Sequence, residues 1–368
     1  MFPVKSLTVR GHTLELPDFF PDATKGVIRA CSADDITTAG INGIIVNTYH
    51  LLTQPGPTVL EQFGGIKRYM NFPGTVISDS GGWQMFSLIH RSDGMGTISK
   101  DGVTFKKETK NGTFKHKITP EKCIQTQFAI GADIMICLDY FTPENPSPTD
   151  LDISVKRTVE WAQRCKEEFD LLCRQKKLSA DEKPLLFCVL QGGRDKASVE
   201  KCASGLRKLN FDGWGLGGWL FDENMDLDLD ICTFYHECME PDKPLYALGI
   251  GNPKAIADCA NIGFAIFDCV LPTRDARHKR LYVFTKPADR IDFASPEKWY
   301  DYIYIQREKY IRDFSPISEF CDCYTCTNYT RAYVRHLFEI EDTLAYRLAT
   351  IHNLRMYSML MAALRKRP

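Results

Sequence analysis

The chain has 368 residues, of which 44% are hydrophobic, so it can bury a sizeable core and suits a large α/β barrel with a small appendage. Its 46 lysines and arginines nearly balance 47 aspartates and glutamates, and the formal net charge is -1. This balance excludes a uniformly basic nucleic-acid binder, so any contact with RNA must come from a local basic patch.

The first residues, MFPVKSLTVR, lack the charged region and apolar run of a signal peptide, and no apolar stretch approaches the length of a membrane span. We therefore expect a cytoplasmic protein whose 14 cysteines lie in a reducing compartment. Four of them lie in or at the end of apolar runs, where cysteine acts as a small core residue. These four are Cys31, Cys137, Cys188 and Cys269.

A predicted hairpin opens the chain, and a repeating pattern of strands and helices follows it. Leu7 to Leu16 alternates on either side of Gly11, which is typical of two short paired strands. After the hairpin, short apolar runs rich in β-forming residues end in polar or glycine residues, and amphipathic stretches follow them. The eight runs are Gly26 to Cys31, Gly43 to Asn47, Thr75 to Asp79, Asp133 to Asp139, Leu185 to Gln191, Gly213 to Gly217, Leu245 to Gly249, and Phe264 to Val270.

These eight runs predict an α/β fold, a closed (β/α)8 barrel of the TIM type. Nearly continuous apolar strands are typical of a parallel sheet covered on both faces, and their alternation with helices favours a barrel. A doubly wound open sheet is the alternative. We expect the barrel to span residues 1–294, with a helical zinc-binding subdomain packed on it over residues 295–368.

Other segments between the strands have their own signals. Thr149 to Gln175 begins with a capping residue and acids and predicts a long helix, and Pro253 to Ala260 predicts a helix opened by proline. Between Gly94 and Lys117 the repeating pattern breaks, and Asp101-Gly102 and Asn111-Gly112 separate alternating residues. We expect an inserted β excursion in this region.

Polar side chains and glycines follow the strands, at the edge where the chemistry of barrel enzymes collects. They are Asn47, Asp79, Asp139, Gln191, Gly217, Gly218, Gly249 and Asp268. One aspartate after a strand is equally well explained as a helix cap, but three at one rim indicate a site.

These groups suit the chemistry of a base joined to a sugar. Of two neighbouring carboxylates, one can attack the anomeric carbon while the other protonates the leaving group. A third can accept hydrogen bonds from the N–H groups of a base. The amide of Gln191 and the N–H of Gly218 can donate to a carbonyl oxygen, which completes a pocket for a guanine-like base.

A cysteine cluster near the C-terminus predicts a metal site. Cys321, Cys323 and Cys326 have the spacing Cys-x-Cys-x-x-Cys, and with an imidazole they make a closed tetrahedral Cys3His site of the structural zinc type. His336 and His352 both lie in stretches that look helical, so either histidine can complete the site.

The motifs resemble those of the tRNA-guanine transglycosylases over nearly the full length of the chain. The matching blocks are Asn47-Thr48-Tyr49-His50-Leu51 with Pro55-Gly56, Asp79-Ser80-Gly81-Gly82-Trp83-Gln84, Val189-Leu190-Gln191-Gly192-Gly193, Phe267-Asp268-Cys269-Val270-Leu271-Pro272-Thr273-Arg274, and Cys321-Asp322-Cys323-Tyr324-Thr325-Cys326 with Thr330-Arg331-Ala332-Tyr333. The family's histidine ligand falls on His352, within Ile351-His352-Asn353, which favours it over His336.

The resemblance implies a division of labour among the strand-end residues. Asp268 would attack the anomeric carbon of the target ribose and displace guanine. Asp79 would act as general acid toward the leaving base and then as base toward the incoming one. Four residues would hold the base, the first three by its hydrogen-bonding edge and the last by stacking: Asp139, Gln191, Gly218 and Trp83.

The resemblance also implies tRNA and a free base as partners. Arg274 and Arg277 match arginines that contact the neighbouring anticodon nucleotides, and they begin a basic cluster that continues through His278, Lys279 and Arg280. The zinc subdomain would contact the RNA backbone and help to form a homodimer. Guanine at the wobble position would be replaced by a 7-deazaguanine, either the aminomethyl precursor base or queuine.

Three stretches depart from the family's pattern. Gly217-Gly218 is followed by Trp219-Leu220-Phe221-Asp222-Glu223 where small residues are usual, so the room for the substituent of the incoming base should differ. Tyr140-Phe141 stands where the bacterial enzymes usually carry Glu-Cys. Lys286 to Tyr310 is longer and more aromatic than in the family, which would alter RNA contacts or the dimer surface.

Other functions share parts of the same pattern. A 7-deazaguanine transglycosylase acting on DNA or on another RNA would keep the same site. A catalytically silent partner subunit of a heterodimeric enzyme should lose its catalytic acids, whereas Asp79 and Asp268 are both present. A metal-dependent hydrolase would need a histidine-carboxylate cluster at the strand ends, which this sequence lacks.

Overall fold

The computed structural model describes residues 4–91, 96–109, 112–222 and 226–366. The strands within these residues are β1 (Ser6–Val9), β2 (His12–Glu15), β3 (Asp18–Pro21), β4 (Gly43–Asn47), β5 (Thr75–Asp79), β6 (Gly96–Ser99), β7 (Gly102–Thr109), β8 (Gly112–Ile118), β9 (Ile134–Ile136), β10 (Leu185–Leu190), β11 (Gly213–Leu216), β12 (Leu245–Ala247), β13 (Ile266–Cys269), β14 (Arg280–Phe284) and β15 (Tyr300–Tyr304). The strands β1 and β2 form the predicted antiparallel hairpin.

Eight parallel strands form the predicted barrel, in the order β3-β13-β12-β11-β10-β9-β5-β4. Its two end strands, β3 and β4, meet through a parallel bridge between Asp22 and Ile45. The N–H of Ala23 donates to the carbonyl of Ile45 at 2.7 Å. The (β/α)8 fold is therefore confirmed, and the open doubly wound sheet is wrong because the first and last strands meet.

One predicted barrel strand is wrong. Gly26 to Cys31 forms turns, and Gly26 and Ala30 have positive φ values of 73° and 68°, which extended strands do not contain. The first barrel strand is instead β3, whose Asp18, Phe19, Phe20 and Pro21 pair with β13. A strand of four residues that begins with aspartate and ends with proline carries little β signal, since both residues are depleted in strands.

The barrel interior is a packed layer of side chains. Members of one buried cluster come from seven of the barrel strands: Phe20, Ile45, Ile77, Ile134, Ile136, Phe187, Val189, Tyr246 and Ile266. Residues two apart on a strand share a face, so the residue two positions after each inward apolar residue also points inward. On five strands this next inward residue is polar. These five positions hold Asp22, Asn47, Asp79, Gln191 and Asp268. The apolar layer thus forms the floor of a polar site.

Helices surround the barrel and fill the C-terminal region. Their bounds are α1 (Ala33–Thr38), α2 (Thr48–Thr53), α3 (Pro57–Phe63), α4 (Ile66–Met70), α5 (Gly82–Arg91), α6 (Pro120–Ile130), α7 (Pro148–Gln175), α8 (Lys196–Arg207), α9 (Leu229–Cys238), α10 (Pro253–Ile262), α11 (Leu271–Arg277), α12 (Tyr324–Asn328), α13 (Arg331–Glu339) and α14 (Thr343–Arg365). The long helix predicted from Thr149 is α7, which Ser147 caps through the N–H of Asp150. None of the described helices is long and apolar enough to cross a membrane.

The region predicted as a β excursion forms a three-stranded antiparallel sheet of β6, β7 and β8. Ser99 pairs with Gly102 across its first turn, as the Asp101-Gly102 signal predicted. Gly94 and Asn111, which the prediction also named, lie outside the described residues.

The C-terminal region joins the barrel through α14. The ring of Tyr357 packs on Phe19 of β3 at 4.6 Å between centroids. Arg365 donates to an Asp18 carboxylate oxygen at 2.9 Å. Residues 300–304, expected to be helical, form β15 and pair with β14 across the predicted boundary at residue 294. The division into barrel and subdomain at that boundary stays a prediction.

None of the fourteen cysteines forms a disulfide bond. Cys137 and Cys188 are buried in the core as predicted, whereas Cys31 and Cys269 are only partly buried. Cys269 follows Asp268 on β13 and lines the polar cavity above the barrel interior.

Candidate active site

A cavity of about 340 Å³ opens at the carboxyl ends of the barrel strands. The structure brings nine of the predicted residues to its wall: Asn47, Asp79, Trp83, Asp139, Gln191, Gly217, Gly218, Gly249 and Asp268. All of them except Trp83 follow or end strands, and Trp83 lies in the first turn of α5. The convergence expected from a barrel topology is therefore present.

Asp268 has one oxygen fixed by two donors. Its Oδ1 accepts from the Tyr246 hydroxyl at 2.7 Å and from the Gly249 N–H at 2.7 Å. Neither donor engages Oδ2. Burial raises the pKa of this carboxyl to about 7, against the lowering effect of both hydrogen bonds, and the charges of Asp79 and Asp22 raise it further. The carboxyl is thus oriented, with one oxygen left for chemistry.

Asp79 sits across the site with an amide donor beside it. Asn47, which also caps α2, donates through Nδ2 to Oδ2 of Asp79 at 2.7 Å. Burial raises the pKa of Asp79 to about 6, hydrogen bonds from Gly81 and Gln84 oppose this rise, and the charge of Asp22 adds to it. A carboxyl whose pKa lies this close to neutrality can both give and take a proton.

Asp139 and Gln191 form a connected pair. The Gln191 side chain donates through Nε2 to Oδ2 of Asp139 at 2.7 Å and accepts through Oε1 from the Thr142 N–H at 3.1 Å. Burial raises the pKa of Asp139 to about 6, which the bond from Gln191 opposes and the charge of Asp79 reinforces. The backbone bond fixes the orientation of the amide, which in turn orients the carboxyl.

Gly217 allows this pair to lie against β11. A Cβ at Gly217 would approach Nε2 of Gln191 to 2.7 Å and a methyl of Val189 to 2.6 Å, closer than real contacts permit. A side chain at this position would therefore displace the amide. Trp83 is 47% exposed at the mouth of the same cavity, with a face available for a planar ligand.

Three aromatic residues at the departures from the family pattern also line the cavity. They are Phe141, Trp219 and Phe221. The rings of Trp219 and Phe221 meet edge to face at 5.5 Å between centroids. The indole Nε1 of Trp219 is buried and has no hydrogen-bond partner among the described residues. Glu223, the last residue of the departure that begins at Trp219, lies outside the described residues.

The predicted basic cluster divides into two parts. Arg274 is exposed on α11, and Arg277 is partly buried with its Nη1 donating to the Thr273 carbonyl at 2.9 Å. Arg280 is engaged elsewhere, because its Nη2 lies 2.6 Å from the buried Asp275 carboxylate. Arg280 is therefore held in an ion pair with a buried carboxylate, and the contact of Arg274 and Arg277 with RNA stays a prediction.

Sequence reasoning missed two residues of the site. Tyr246, which donates to Asp268, lies inside the predicted strand Leu245 to Gly249 and in none of the motifs. Asp22 lines the cavity beyond Phe20 on β3, a strand that was assigned to the wrong residues. The alternation of Phe20 and Asp22 matches that of Ile77 and Asp79, so the missing signal was the two-residue period of a very short strand.

The predicted metal ligands come together away from the cavity. One ligand atom from each of Cys321, Cys323, Cys326 and His352 lies within 4.8 Å of the others. The spacing suits a tetrahedral ion, whose ligand atoms lie about 3.5–4 Å apart. Nε2 of His352 is 2.7 Å from the Tyr282 carbonyl, so donation from Nε2 leaves Nδ1 facing the thiols. His336 is exposed and outside this group.

Comparison with known proteins agrees with this geometry. The family model described as "Queuine tRNA-ribosyltransferase" matches residues 4–367. Proteins named queuine tRNA-ribosyltransferase are similar to the chain in Caldanaerobacter subterraneus subsp. tengcongensis, Staphylococcus epidermidis and Shouchella clausii, at 37%, 36% and 35% identity. Each alignment covers 96% of this chain and 85–86% of the relative.

Proposed function

The chain belongs to the queuine tRNA-ribosyltransferase family, and from this premise we propose that it exchanges guanine at the wobble position of tRNA for a 7-deazaguanine base. The observation that carries the proposal is the pair of carboxyls, Asp79 and Asp268, in one cavity above the barrel interior. Retaining glycoside chemistry requires such a pair, one as nucleophile and one as acid and base.

In the first half-reaction the free Oδ2 of Asp268 attacks C1′ of the target ribose. The C1′–N bond to guanine breaks, its electron pair stays with the base, and the Asp79 carboxyl supplies the proton. Two hydrogen bonds to Oδ1 support this role, because they hold the nucleophile while leaving the other oxygen free. The product is a ribosyl ester of Asp268.

In the second half-reaction Asp79, now ionised, takes a proton from the incoming base. The base attacks C1′ and the ester bond to Asp268 breaks, which restores both carboxyls. A pKa of about 6 supports this double role, since Asp79 can then change protonation state near neutral pH.

The base is held between polar edges and an aromatic face. Asp139 accepts from its N–H groups, Gln191 and the N–H of Gly218 donate to its carbonyl, and Trp83 stacks on the ring. The Thr142 bond supports this assignment, because it presents the Gln191 amide in one orientation. The incoming base is the aminomethyl precursor or queuine, and its substituent meets the aromatic group around Trp219.

The protein also binds one structural zinc ion, away from the cavity. Cys321, Cys323, Cys326 and His352 would hold it as a closed Cys3His site, in which the ion stabilises the fold and performs no step of the reaction. The placement of His352 on α14 supports this role, because that helix also packs on β3.

Arg274 and Arg277 contact the anticodon nucleotides beside the target, and the zinc subdomain contacts the RNA backbone and forms a homodimer. The absence of disulfide bonds among the fourteen cysteines supports a reducing compartment, the cytoplasm. The presence of both carboxyls in the cavity disfavours a silent partner subunit.

Base exchange is tested with radiolabelled guanine and unfractionated tRNA. The native protein should incorporate label into tRNA, and an added 7-deazaguanine should displace it. Without incorporation, the proposed activity is wrong. Trapped enzyme–RNA adducts should form with the native protein and be absent from Asp268→Asn, whereas an adduct that survives this change would move the nucleophile elsewhere.

A further inference from the structure

Of the four carboxyls that line the cavity among the described residues, Asp22 alone has no role in the proposed reaction. Phe20 faces the barrel interior, so Asp22, two residues further along β3, faces the cavity. It also marks the point where the barrel closes, through its bridge to Ile45. Its backbone position is therefore fixed by this bridge to β4 and by the pairing of the preceding residue, Pro21, with β13.

The register between β3 and β13 places Asp22 beside the nucleophile. Asp268 pairs with Phe20 and Cys269 pairs with Pro21, so Asp22 lies one inward position further toward the mouth on the adjacent strand. The two carboxyls are close enough for the charge of Asp22 to raise the pKa of Asp268. A ribose bound to Asp268 would therefore have Asp22 beside it, on the side toward the mouth of the cavity.

The hydrogen bonds of Asp22 leave one oxygen available. Oδ1 accepts from the Thr24 N–H at 2.7 Å and from the Thr24 hydroxyl. Burial raises the pKa of Asp22, and the Thr24 hydrogen bonds and the nearby charge of Arg277 oppose this rise. Among the described residues, Oδ2 accepts no hydrogen bond, and Arg277 is not close enough to form an ion pair with Asp22. The arrangement repeats that of Asp268, with one oxygen anchored and the other open to the cavity.

The substrate offers one group that suits this oxygen. In a nucleotide inside an RNA chain the 3′ and 5′ oxygens are esterified, so the 2′-hydroxyl is the only free hydroxyl. It lies on the carbon next to C1′, on the face opposite the base. Asp268 must attack from that face, so the 2′-hydroxyl arrives beside the nucleophile.

We propose that Asp22 binds the 2′-hydroxyl of the target nucleotide and thereby selects RNA over DNA. This inference rests on the proposed base exchange. The 2′-hydroxyl is the group by which a protein distinguishes the two nucleic acids at a given position. Hydrogen bonds to this sugar position also strengthen as the glycosidic bond breaks, so the contact favours the transition state.

The test compares two anticodon stem-loops that differ only in a 2′-hydroxyl or a 2′-hydrogen on the target guanosine. The kcat/KM for labelled guanine exchange is measured with the native enzyme, Asp22→Ala and Asp22→Asn. We expect Asp22→Ala to lower kcat/KM on the ribo substrate about 10- to 100-fold, the usual range for a bond to a charged group, and to leave the deoxy value nearly unchanged. Asp22→Asn keeps an acceptor oxygen and should retain part of the discrimination.

The ratio of the two substrates separates recognition from general damage. Asp152→Ala, a change at an exposed aspartate on α7, serves as the matched control and should keep the native ratio. Equal losses on both substrates in Asp22→Ala, or no loss on either, would overturn the assignment of Asp22 while leaving base exchange intact. No exchange by the native enzyme on either stem-loop or on tRNA would instead overturn the proposed function and this inference together.

Discussion

At the scale of single residues, the site brings together buried carboxyls whose ionised forms would be better solvated in water. Burial raises the pKa of Asp79 and Asp139 to about 6 and that of Asp268 to about 7, all from an ordinary value of 3.8. Functional sites commonly hold groups in such environments, and the fold loses stability by keeping them ionised.

The titration of Asp268 should be visible in stability. Between pH 4 and pH 7 the folded chain keeps a proton that the unfolded chain has released, so the free energy of unfolding falls across this range and levels off above about pH 7. Asp268→Asn removes this titration and keeps the oxygen that Tyr246 and Gly249 bind. We expect its melting temperature to exceed the native value by at least about 2 °C at pH 8.

The same comparison at pH 4.5 supplies the control. There the native carboxyl is protonated when folded, so the two melting temperatures should converge. A gain of equal size at both pH values would show that the ionisation of Asp268 is not its cause.

Trp219 should govern which base enters the site. Its indole occupies the cavity beside Phe221, so truncation to alanine opens space for a larger substituent. We expect Trp219→Ala to raise the kcat/KM of queuine relative to the aminomethyl base by about tenfold or more, measured by displacement of labelled guanine. Trp219→Phe, which keeps a ring and removes the N–H, should stay close to the native preference. An unchanged ratio in the alanine variant would remove Trp219 from base selection.

At the scale of elements, the two-residue spacing of the short barrel strands determines which side chains reach the cavity. Each inward apolar residue sets the position of a polar one two residues later, as Ile77 does for Asp79 and Ile266 for Asp268. This explains why motifs separated widely in sequence converge in one cavity. It also explains why the wrong assignment of the first strand left Asp22 out of the predicted site, while the residues predicted at the ends of the other strands were unaffected.

The end of β11 provides a test of this arrangement. In Gly217→Ala the new methyl would press on Gln191 Nε2 and disturb the bond to Asp139. We expect the KM for guanine to rise about tenfold, with a smaller change in kcat, because the loss concerns binding of the base. A folded variant with native KM would show that β11 can shift without moving the amide, and circular dichroism verifies folding.

At the scale of the whole molecule, α14 connects the metal-ligand group to the barrel. It carries His352 near its middle, Tyr357 against Phe19, and Arg365 against Asp18. The hydroxyl of Ser358 adds a bond to the carbonyl of Ala39 at 2.6 Å. Loss of the metal should therefore loosen contacts well beyond the four ligands.

Histidine substitution tests this connection. We expect His352→Ala to lose its zinc, measured by atomic emission, and to lower the melting temperature by more than about 4 °C, since both metal and buried packing are lost. His336→Ala is the matched control, because His336 is exposed and lies outside the ligand group. One zinc per chain retained by His352→Ala would exclude this histidine as a ligand.

The sequence by itself determined the barrel, the Cys3His group that could hold a metal ion, and the polar residues at the strand ends. Apolar runs, cysteine spacing and family motifs are local patterns, and each of them can be recognised without knowing its neighbours. Only the tertiary structure decided that β3 begins at Asp18, because four residues hold too little local preference and pairing with β13 and α14 contacts stabilise them. The orientation of Asp268 by Tyr246 and the arrival of Asp22 beside it likewise depend on strand register, which no local pattern records.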